Sequence, residues 1–186
     1  MEQSDEIIVK NCQKGELEQF GILYEKYVKK IYSFVYFKIQ HKESAEDITV
    51  KVFIKALDKI GSFKHSEGTF QAWIYKIARN TIIDHYRTSK IEANIEDAWD
   101  LPDNNNLERD LDLKVRLEAV EKYLKKLSPE QRELIIMRVW QDMPYREIAE
   151  ILGKSESACK VAYSRAIGQL RKDLPLTLFI ALCLLQ

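Results

Sequence analysis

The apolar residues of this chain recur at spacings of three and four, and this pattern restricts its fold more than any other feature. Such spacing places apolar side chains on one face of an α-helix. The first long stripe comprises Phe20, Leu23, Tyr24, Tyr27, Ile31, Phe34 and Val35. No run of any length alternates apolar and polar residues as a half-buried strand would. The predicted fold class is therefore all-α.

Two further long helices are predicted before residue 90. "SAEDITVKVFIKALDKI" begins with Ser44 as the expected N-cap and has Asp47 at the third helical position. The glycine-containing stretch "GSFKHSEG" then interrupts the pattern, and "TFQAWIYKIARNTIIDHYRTSK" resumes it from Thr69. In this last helix Phe70, Trp73 and Ile74 are expected in the core, whereas Lys76 and Asn80 lie on the polar face.

The charge distribution indicates two domains and a connector. The formal net charge is zero, yet residues 1–90 carry +3, residues 91–112 carry −7 and residues 113–186 carry +4. The acidic segment "IEANIEDAWDLPDNNNLERD" reads as a linker. Two small helical domains joined by a flexible acidic linker are predicted, and each basic block could face an anionic partner.

The second block begins with a strong helix start. In "LSPEQRELIIMRVW", Ser128 is the expected N-cap, Pro129 occupies the first helical position and Gln131 completes a capping box. The next helix is predicted to start near Pro144.

The stretch "YREIAEILGKSESACKVAYSRAIGQL" has the requirements of a helix-turn-helix. Ala149 supplies a small contact, Gly153 permits a left-handed turn, and Ser155 can cap the second helix. The inner stripe of that helix is Cys159, Ala162, Ala166 and Leu170. The outer face, suited to a DNA major groove, carries Ser157, Lys160, Val161, Ser164 and Arg165. The alternative is a helical hairpin with a solvated charged face.

Three stretches together resemble bacterial RNA polymerase sigma factors of the extracytoplasmic-function (ECF) group. They are "SAEDITVKVFIKALDKIGSF", "GTFQAWIYKIARNTIIDHYR", and the segment from "LSPEQRELIIMRVW" to "AIGQLRKDL". The resemblance covers most of residues 15–173. It implies an alternative sigma factor, not an enzyme, that binds core RNA polymerase and directs promoter-specific initiation.

The resemblance also implies a division of labour. Residues 1–90 would be sigma domain 2, which binds core polymerase and recognises and melts the −10 element. Residues 91–112 would be the linker, and residues 113–173 would be sigma domain 4, which reads the −35 element. The implied partners are core RNA polymerase, promoter DNA and an anti-sigma factor. No cofactor, metal or small-molecule substrate is implied, and a cytoplasmic location is expected.

Site residues follow from the same resemblance. In the second helix of the helix-turn-helix, Lys160, Val161, Ser164 and Arg165 match contacts to bases and backbone. The loop of residues 62–68 matches one that captures a flipped base. The residues that match the lining of that pocket or its approach are Lys55, Phe63, Tyr75, Lys76 and Asn80. On the helix that meets core polymerase, the matching positions are Asp47, Val50 and Lys51.

Several positions depart from the family pattern. Val50 and Lys51 stand where Gln-Glu is usual, so the affinity for core polymerase is expected to differ. Ala158 and Ala162 replace a common Thr and Arg, which predicts fewer phosphate contacts and weaker, less salt-sensitive −35 binding. The apolar tail, residues 174–186, is too short to span a bilayer. It is expected to pack on domain 4, with a docking surface for a partner or a membrane as the alternative.

Two other function classes compete with this one. A stand-alone helix-turn-helix regulator that never docks on polymerase is supported by Val50 and Lys51, but such a regulator has no use for "FQAWIYKIARN". A metal hydrolase would have to use His41, His65 and His85, which are not at ligand spacing. Three widely spaced cysteines indicate neither a disulfide framework nor a zinc site.

Overall fold

A computed structural model describes residues 4–39, 41–89, 124 and 126–173. The predicted linker, residues 91–112, and the apolar tail, residues 174–186, lie outside the described residues. Helices and turns account for all the secondary structure in the described part of the chain, which contains no strand. The all-α prediction is confirmed. The chain divides into two compact units, Met1–Pro102 and Asp103–Gln186, and the boundary falls inside the predicted linker.

The described part of the first unit contains four α-helices. They are α1 (Asp5–Gln13), α2 (Phe20–Ile39), α3 (Lys42–Lys59) and α4 (Phe70–Ser89). Short 3-10 turns lie at Leu17–Gln19, Ile60–Ser62 and His65–Glu67. Helices α2, α3 and α4 pack pairwise on one another, and α1 packs against α2. No helix was predicted from the sequence where the structure has α1, at Asp5–Gln13.

Aromatic rings fill the core of this unit. Phe34 of α2 meets Tyr75 of α4 edge-on with ring centroids 5.1 Å apart, and Tyr27 lies 5.5 Å from Phe70. Tyr75 and Phe34 have no exposed surface, and Phe70 is 1% exposed. Such pairs add attraction between rings to the apolar area that they bury. The predicted burial of Phe70 and Ile74 is confirmed, and Trp73 is half-buried.

The start of α3 differs from the prediction. The helix begins at Lys42 and its N-cap is His41, whose Nδ1 accepts a hydrogen bond from the Ser44 backbone N–H at 3.2 Å. Ser44 therefore lies within the first turn and not at the cap. Its hydroxyl lies 2.9 Å from the same Nδ1. The predicted N-cap at Ser44 was wrong because the imidazole of His41 takes that place.

Among its described residues, the second unit contains three α-helices of several turns and one π-helical turn. Helix α5 (Pro129–Ile135) continues as a π-helical turn, Ile136–Trp140, followed by α6 (Tyr145–Leu152) and α7 (Glu156–Asp173). Ser128 and Gln131 form the predicted capping box, with both reciprocal hydrogen bonds present. The core cluster comprises Leu124, Leu127, Ile135, Val139, Ala166 and Leu170.

Candidate nucleic-acid interface and polymerase-facing helix

Helix α7 is held in place by the turn that precedes it. Gly153 ends α6 with φ of 65° and ψ of 36°, the left-handed conformation predicted for this position. The Ser155 hydroxyl then accepts a hydrogen bond from the Ala158 N–H at 3.2 Å, which confirms the predicted cap. Cys159, Ala166 and Leu170 are buried, so the inner face of α7 is fixed against the rest of the unit.

The outer face of α7 presents all five side chains predicted to meet DNA. These five residues lie on one solvent-facing surface, and all of them are exposed: Ser157, Lys160, Val161, Ser164 and Arg165. Even the apolar Val161 is 49% exposed. Ala158 and Ala162 help to line an open depression on this face, which runs from Ser155 to Arg165. Ala162 was predicted on the inner stripe, but it is half-buried and contributes to this outer surface. The depression is thus lined in part by the two alanines that stand where the family commonly has the larger side chains of Thr and Arg.

Lys160 already has a charged neighbour on its own helix. Its Nζ lies 2.7 Å from a carboxylate oxygen of Glu156, one turn earlier, and both side chains are exposed. The same Nζ lies 5.8 Å from the ring centroid of Tyr145, the first residue of α6. An exposed pair of this kind is weak and screened by salt, so a phosphate group could compete with Glu156 for Lys160.

In the first unit, the 62–68 loop is packed around Phe63. This ring is 7% exposed, and its centroid lies 5.2 Å from that of Trp73 and 6.1 Å from that of Phe70. Gly68 closes the loop with φ of 143°, a value that L-residues rarely adopt. The aromatic wall formed by Phe63 and Trp73 lies at the N-terminal end of α4.

The loop is also tied to α1. Gln13, the last residue of that helix, donates hydrogen bonds from its amide nitrogen to the Ile60 carbonyl oxygen at 2.9 Å and the Phe63 carbonyl oxygen at 2.8 Å. These are contacts across 47 and 50 residues of sequence. The apolar and motif patterns contain no signal for them, because a terminal glutamine of a short helix has no distinctive spacing.

Of the other predicted −10 residues, Lys76 and Asn80 lie further along α4, and Lys55 reaches that helix from α3. Lys55 Nζ lies 3.2 Å from Thr81 Oγ1 and 3.5 Å from the Asp84 carboxylate. Thr81 follows Trp73 by eight residues, a rise of about 12 Å along a helix. Lys76, which is half-buried, and the exposed Asn80 lie in the sequence between the two places. The predicted residues therefore form an extended surface with separate ends rather than one compact pocket.

Tyr75 is placed differently from what the resemblance implied. It is 0% exposed and packs edge-on against Phe34, so it has no surface to offer a base in this conformation. Helix α4 packs against both α2 and α3, and its buried face is therefore broader than one apolar stripe. Tyr75 supports the surface from the core.

Helix α3 exposes the residues predicted to meet polymerase. Asp47, Val50 and Lys51 are all exposed. Val50 is 54% exposed and belongs to a row with Ile54 at 55% and Leu57 at 36%. The spacing of four and three puts these side chains on one side of the helix. This apolar row lacks a covering element among the described residues, and it was not predicted because each member alone looks like ordinary helix sequence.

The histidines do not form a metal site. Among the described residues, no group of three His, Cys, Asp or Glu side chains could hold a metal ion.

Burial lowers the pKa of His85 below its usual range, and the positive charges of Lys51 and His41 lower it further. The contact between Lys55 of α3 and Asp84 of α4, at 3.5 Å, shows that the C-terminal part of α4 lies beside α3.

The part of the chain that the structure describes contains no helix long and apolar enough to cross a membrane.

Comparison with known proteins finds a family match for each of the two units. The profile of the family described as Sigma-70 region 2 matches residues 23–91, and that of Sigma-70, region 4 matches residues 117–170. The RNA polymerase sigma factor YlaC of Bacillus subtilis is 32% identical over 161 residues, which cover 82% of this chain and 90% of YlaC. This chain belongs to the RNA polymerase sigma factors of the ECF type.

Other relatives agree with this sigma-factor assignment. The ECF RNA polymerase sigma factor BldN of Streptomyces coelicolor is 33% identical over 173 residues, covering 90% of this chain and 65% of BldN. The sigma factor RpoE of Bartonella quintana, solved in complex with the anti-sigma factor NepR, is 25% identical with a TM-score of 0.67. That alignment covers 83% of this chain and 96% of RpoE. CnrH, solved with the cytosolic domain of CnrY, has the same fold at 22% identity and a TM-score of 0.70, over 91% of this chain and 96% of CnrH.

The sigma factor is thus an alternative specificity subunit that binds core RNA polymerase and directs transcription initiation. The stand-alone regulator is not favoured, because the region 2 match covers the helices that such a regulator would not need. Helix α1 lies before the matched segment.

Proposed function

We propose that the two units divide promoter recognition as the resemblance implies, with the first unit acting on the −10 element and core polymerase and the second reading the −35 element. The observation that carries the proposal is the outer face of α7, where five exposed side chains of suitable chemistry lie on a helix fixed by a buried inner face. A helix with this arrangement fits a major groove. The chain acts as a specificity factor and not as an enzyme.

In the second unit, Lys160 and Arg165 supply the charges and Val161 the apolar contact. An arginine that pairs with guanine discriminates by about 1–3 kcal/mol against the wrong base, and an apolar side chain can meet a thymine methyl. Ser157 and Ser164 add short hydroxyl groups. The depression at Ala158 and Ala162 favours an interface with fewer phosphate contacts, so its salt dependence should be shallow.

In the first unit, the 62–68 loop and α4 would hold the opened −10 strand. Trp73, which is half-buried and packs on the buried ring of Phe63, provides aromatic surface near the loop, and stacking of a base on such a ring contributes about 1–3 kcal/mol. Lys76 and Asn80 continue the surface along α4, and Lys55 adds a charge to it from α3. The gain from stacking must offset the few kcal/mol needed to extract a base from the duplex.

Core polymerase would bind along α3. Asp47 and Lys51 supply charges beside the apolar row of Val50, Ile54 and Leu57. A protein partner that covers this row would remove apolar surface from water, which favours association. An anti-sigma factor is the second partner we propose, and the complex of RpoE with NepR supports it. The protein would work in the cytoplasm, where its DNA and polymerase partners are found.

One experiment tests the whole proposal. Purified core RNA polymerase, this protein and a pool of random promoter fragments are mixed, and the transcripts are sequenced. We expect starts downstream of a shared pair of −35 and −10 sequences. Binding to DNA without binding to core and without transcripts would instead support the stand-alone regulator.

A matched pair of variants tests the role of α3. Val50→Glu places a charge in the apolar row and should weaken core binding at least tenfold, since it removes apolar contact and buries a charge. Ile7→Glu on α1 changes a side chain of similar exposure, 49% against 54%, outside the proposed contact. Equal core affinity of the two variants would show that α3 is not the docking helix.

A further inference from the structure

Helix α1 reaches the 62–68 loop through one side chain. The amide nitrogen of Gln13 donates to the carbonyl oxygens of Ile60 and Phe63, at 2.9 Å and 2.8 Å. The Ile60 carbonyl also accepts the Phe63 N–H at 3.2 Å. Gln13 therefore joins the two ends of the turn by which the chain leaves α3 and enters the loop. A primary amide with two N–H groups suits this task, because each carbonyl receives its own donor.

The helix that carries Gln13 is itself well anchored. Ile8 and Val9 are 1% exposed and Cys12 is 2% exposed. At the other end of α1, Asp5 pairs with Lys26 Nζ of α2 at 2.7 Å and accepts a hydrogen bond from the Tyr27 hydroxyl at 2.5 Å. Since α1 is fixed to α2 at its start and to the loop at its end, it can transmit its position to Phe63.

The ring of Phe63 depends on the backbone that Gln13 holds. Phe63 packs on Trp73 and Phe70, and its own carbonyl is one of the two acceptors. The backbone hydrogen bonds of residues 62–68 are all short-range: the Phe63 N–H donates to the Ile60 carbonyl, the Glu67 N–H to the Lys64 carbonyl and the Gly68 N–H to the His65 carbonyl. The bond from Gln13 to the Phe63 carbonyl is thus the described hydrogen bond that connects the loop to a distant element.

We propose that Gln13 is a positioning residue for base capture: α1, which precedes the region 2 match, fixes the 62–68 loop in the conformation that receives a −10 base. This inference rests on the proposed function of the first unit. It goes beyond it by giving α1 a part in −10 specificity. Gln13 need not touch DNA, because it acts through the backbone at Phe63.

Two variants remove the donors in different ways. Gln13→Leu is neutral and cannot donate, and Gln13→Glu keeps the shape but sets carboxylate oxygens against the two carbonyls. The control is Asn11→Ala, which removes a hydrogen bond of the same length from the same helix, since Asn11 Nδ2 donates to Gln19 Oε1 at 2.8 Å. That bond leads to the 3-10 turn Leu17–Gln19 and not to the loop.

The first measurement needs no DNA. Backbone order parameters from NMR relaxation of the full chain report whether the loop is held, with rigid backbone near about 0.85 and flexible backbone below about 0.6. Both Gln13 variants should lower the values of residues 62–68 towards the flexible range. Asn11→Ala should leave them at the wild-type level. Unchanged order parameters in both Gln13 variants would overturn the inference.

The second measurement tests whether the protein recognises one particular base of the −10 element. The probe is a single-stranded non-template oligonucleotide spanning the −10 element of a promoter found with core polymerase, together with versions that each carry one abasic site. The wild-type protein should lose affinity sharply at one position. In the Gln13 variants this loss should shrink by about three- to tenfold, the range expected from one hydrogen bond. Binding of −35 duplex should not change.

The outcomes separate the inference from the proposed function. A wild-type protein that binds all abasic versions equally would disprove base capture and with it the role of Gln13 in that step, even if the loop loosens. A wild type that discriminates, and Gln13 variants that discriminate equally, would overturn the inference alone. A parallel loss in Asn11→Ala would show that stability of α1, and not the contact with the loop, is responsible.

Discussion

Arg132 of α5 reaches back to Leu124, and its Nε donates a hydrogen bond to the Leu124 carbonyl oxygen at 2.9 Å. Its Nη2 donates to the Leu127 carbonyl at 3.1 Å, and the side chain is only 7% exposed. The guanidinium therefore fixes the chain that leads into α5. Both carbonyls belong to residues of the core cluster of the second unit.

Arg132→Met should destabilise this unit by about 2–4 kcal/mol, because two buried carbonyls lose a charged donor. Arg132→Lys keeps the charge but not the planar fork, so it should fall between Met and wild type. Urea unfolding followed through the backbone NMR signals of α6 and α7 measures the effect. A loss below about 0.5 kcal/mol for Arg132→Met, the level of a neutral surface substitution, would show that solvent replaces these bonds.

Gly153 and Gly168 provide a matched test of backbone conformation. A Cβ atom at either position would meet nothing within 4 Å, yet only Gly153 has a positive φ, of 65°. Gly153→Ala should cost about 1–2 kcal/mol through the left-handed backbone alone. Gly168→Ala, within α7, should stabilise by up to about 1 kcal/mol. Urea unfolding of the two variants side by side should give opposite signs, and equal signs would contradict the turn geometry.

Glu156 should weaken −35 binding by holding Lys160. Their atoms lie 2.7 Å apart on the exposed face of α7. Glu156→Gln should raise the affinity for −35 duplex several-fold and steepen its dependence on salt, because Lys160 becomes available to a phosphate. Arg165→Ala should act oppositely and lower the salt slope by about one. Fluorescence anisotropy from low to moderate salt measures both, and an unchanged slope in Glu156→Gln would mean that Lys160 does not face a phosphate.

The stability of the first unit should depend on pH through His85. Its pKa is lowered in the folded protein from the usual 6.5, by burial first and then by the charges of Lys51 and His41. The unfolded chain then binds the proton more tightly. The contribution to the free energy of unfolding is therefore complete above pH 6.5 and falls as the pH drops towards the lowered pKa.

His85→Gln should abolish that part of the pH dependence, and Lys51→Glu should reduce it by replacing a repelling charge with an attracting one. Urea unfolding of the wild type and both variants between about pH 5 and 8, the range in which histidine titrates, makes the comparison. A wild-type profile that is flat around pH 6 would contradict the assignment.

Local features of the fold were predictable from the sequence. The capping box at Ser128 and Gln131, the left-handed turn at Gly153 and the burial of Cys159 each depend on residues a few positions apart. Such local interactions do not depend on how the rest of the chain packs around the segment. The outer face of α7 followed from the same periodicity.

Features that depend on distant contacts, or on a residue that seldom serves as a helix cap, were not predictable. His41 replaces Ser44 as the cap because an imidazole happens to lie over the first turn. Tyr75 is buried because α2 brings Phe34 against it. Gln13 finds its acceptors 47 and 50 residues away. In each case the deciding partner belongs to another element or to an unusual choice of residue, and spacing along one helix contains no information about it.

The apolar row on α3 also has a consequence for the order of events at a promoter. Contacts of Val50, Ile54 and Leu57 with a protein partner should be almost indifferent to ionic strength, whereas contacts of Lys160 and Arg165 with DNA weaken as salt rises. Rising salt in the cell would thus loosen the hold on promoters more than it loosens the holoenzyme, in which the charges of Asp47 and Lys51 only flank the apolar row. Osmotic conditions would then change how long the polymerase searches more than how much of it carries this subunit.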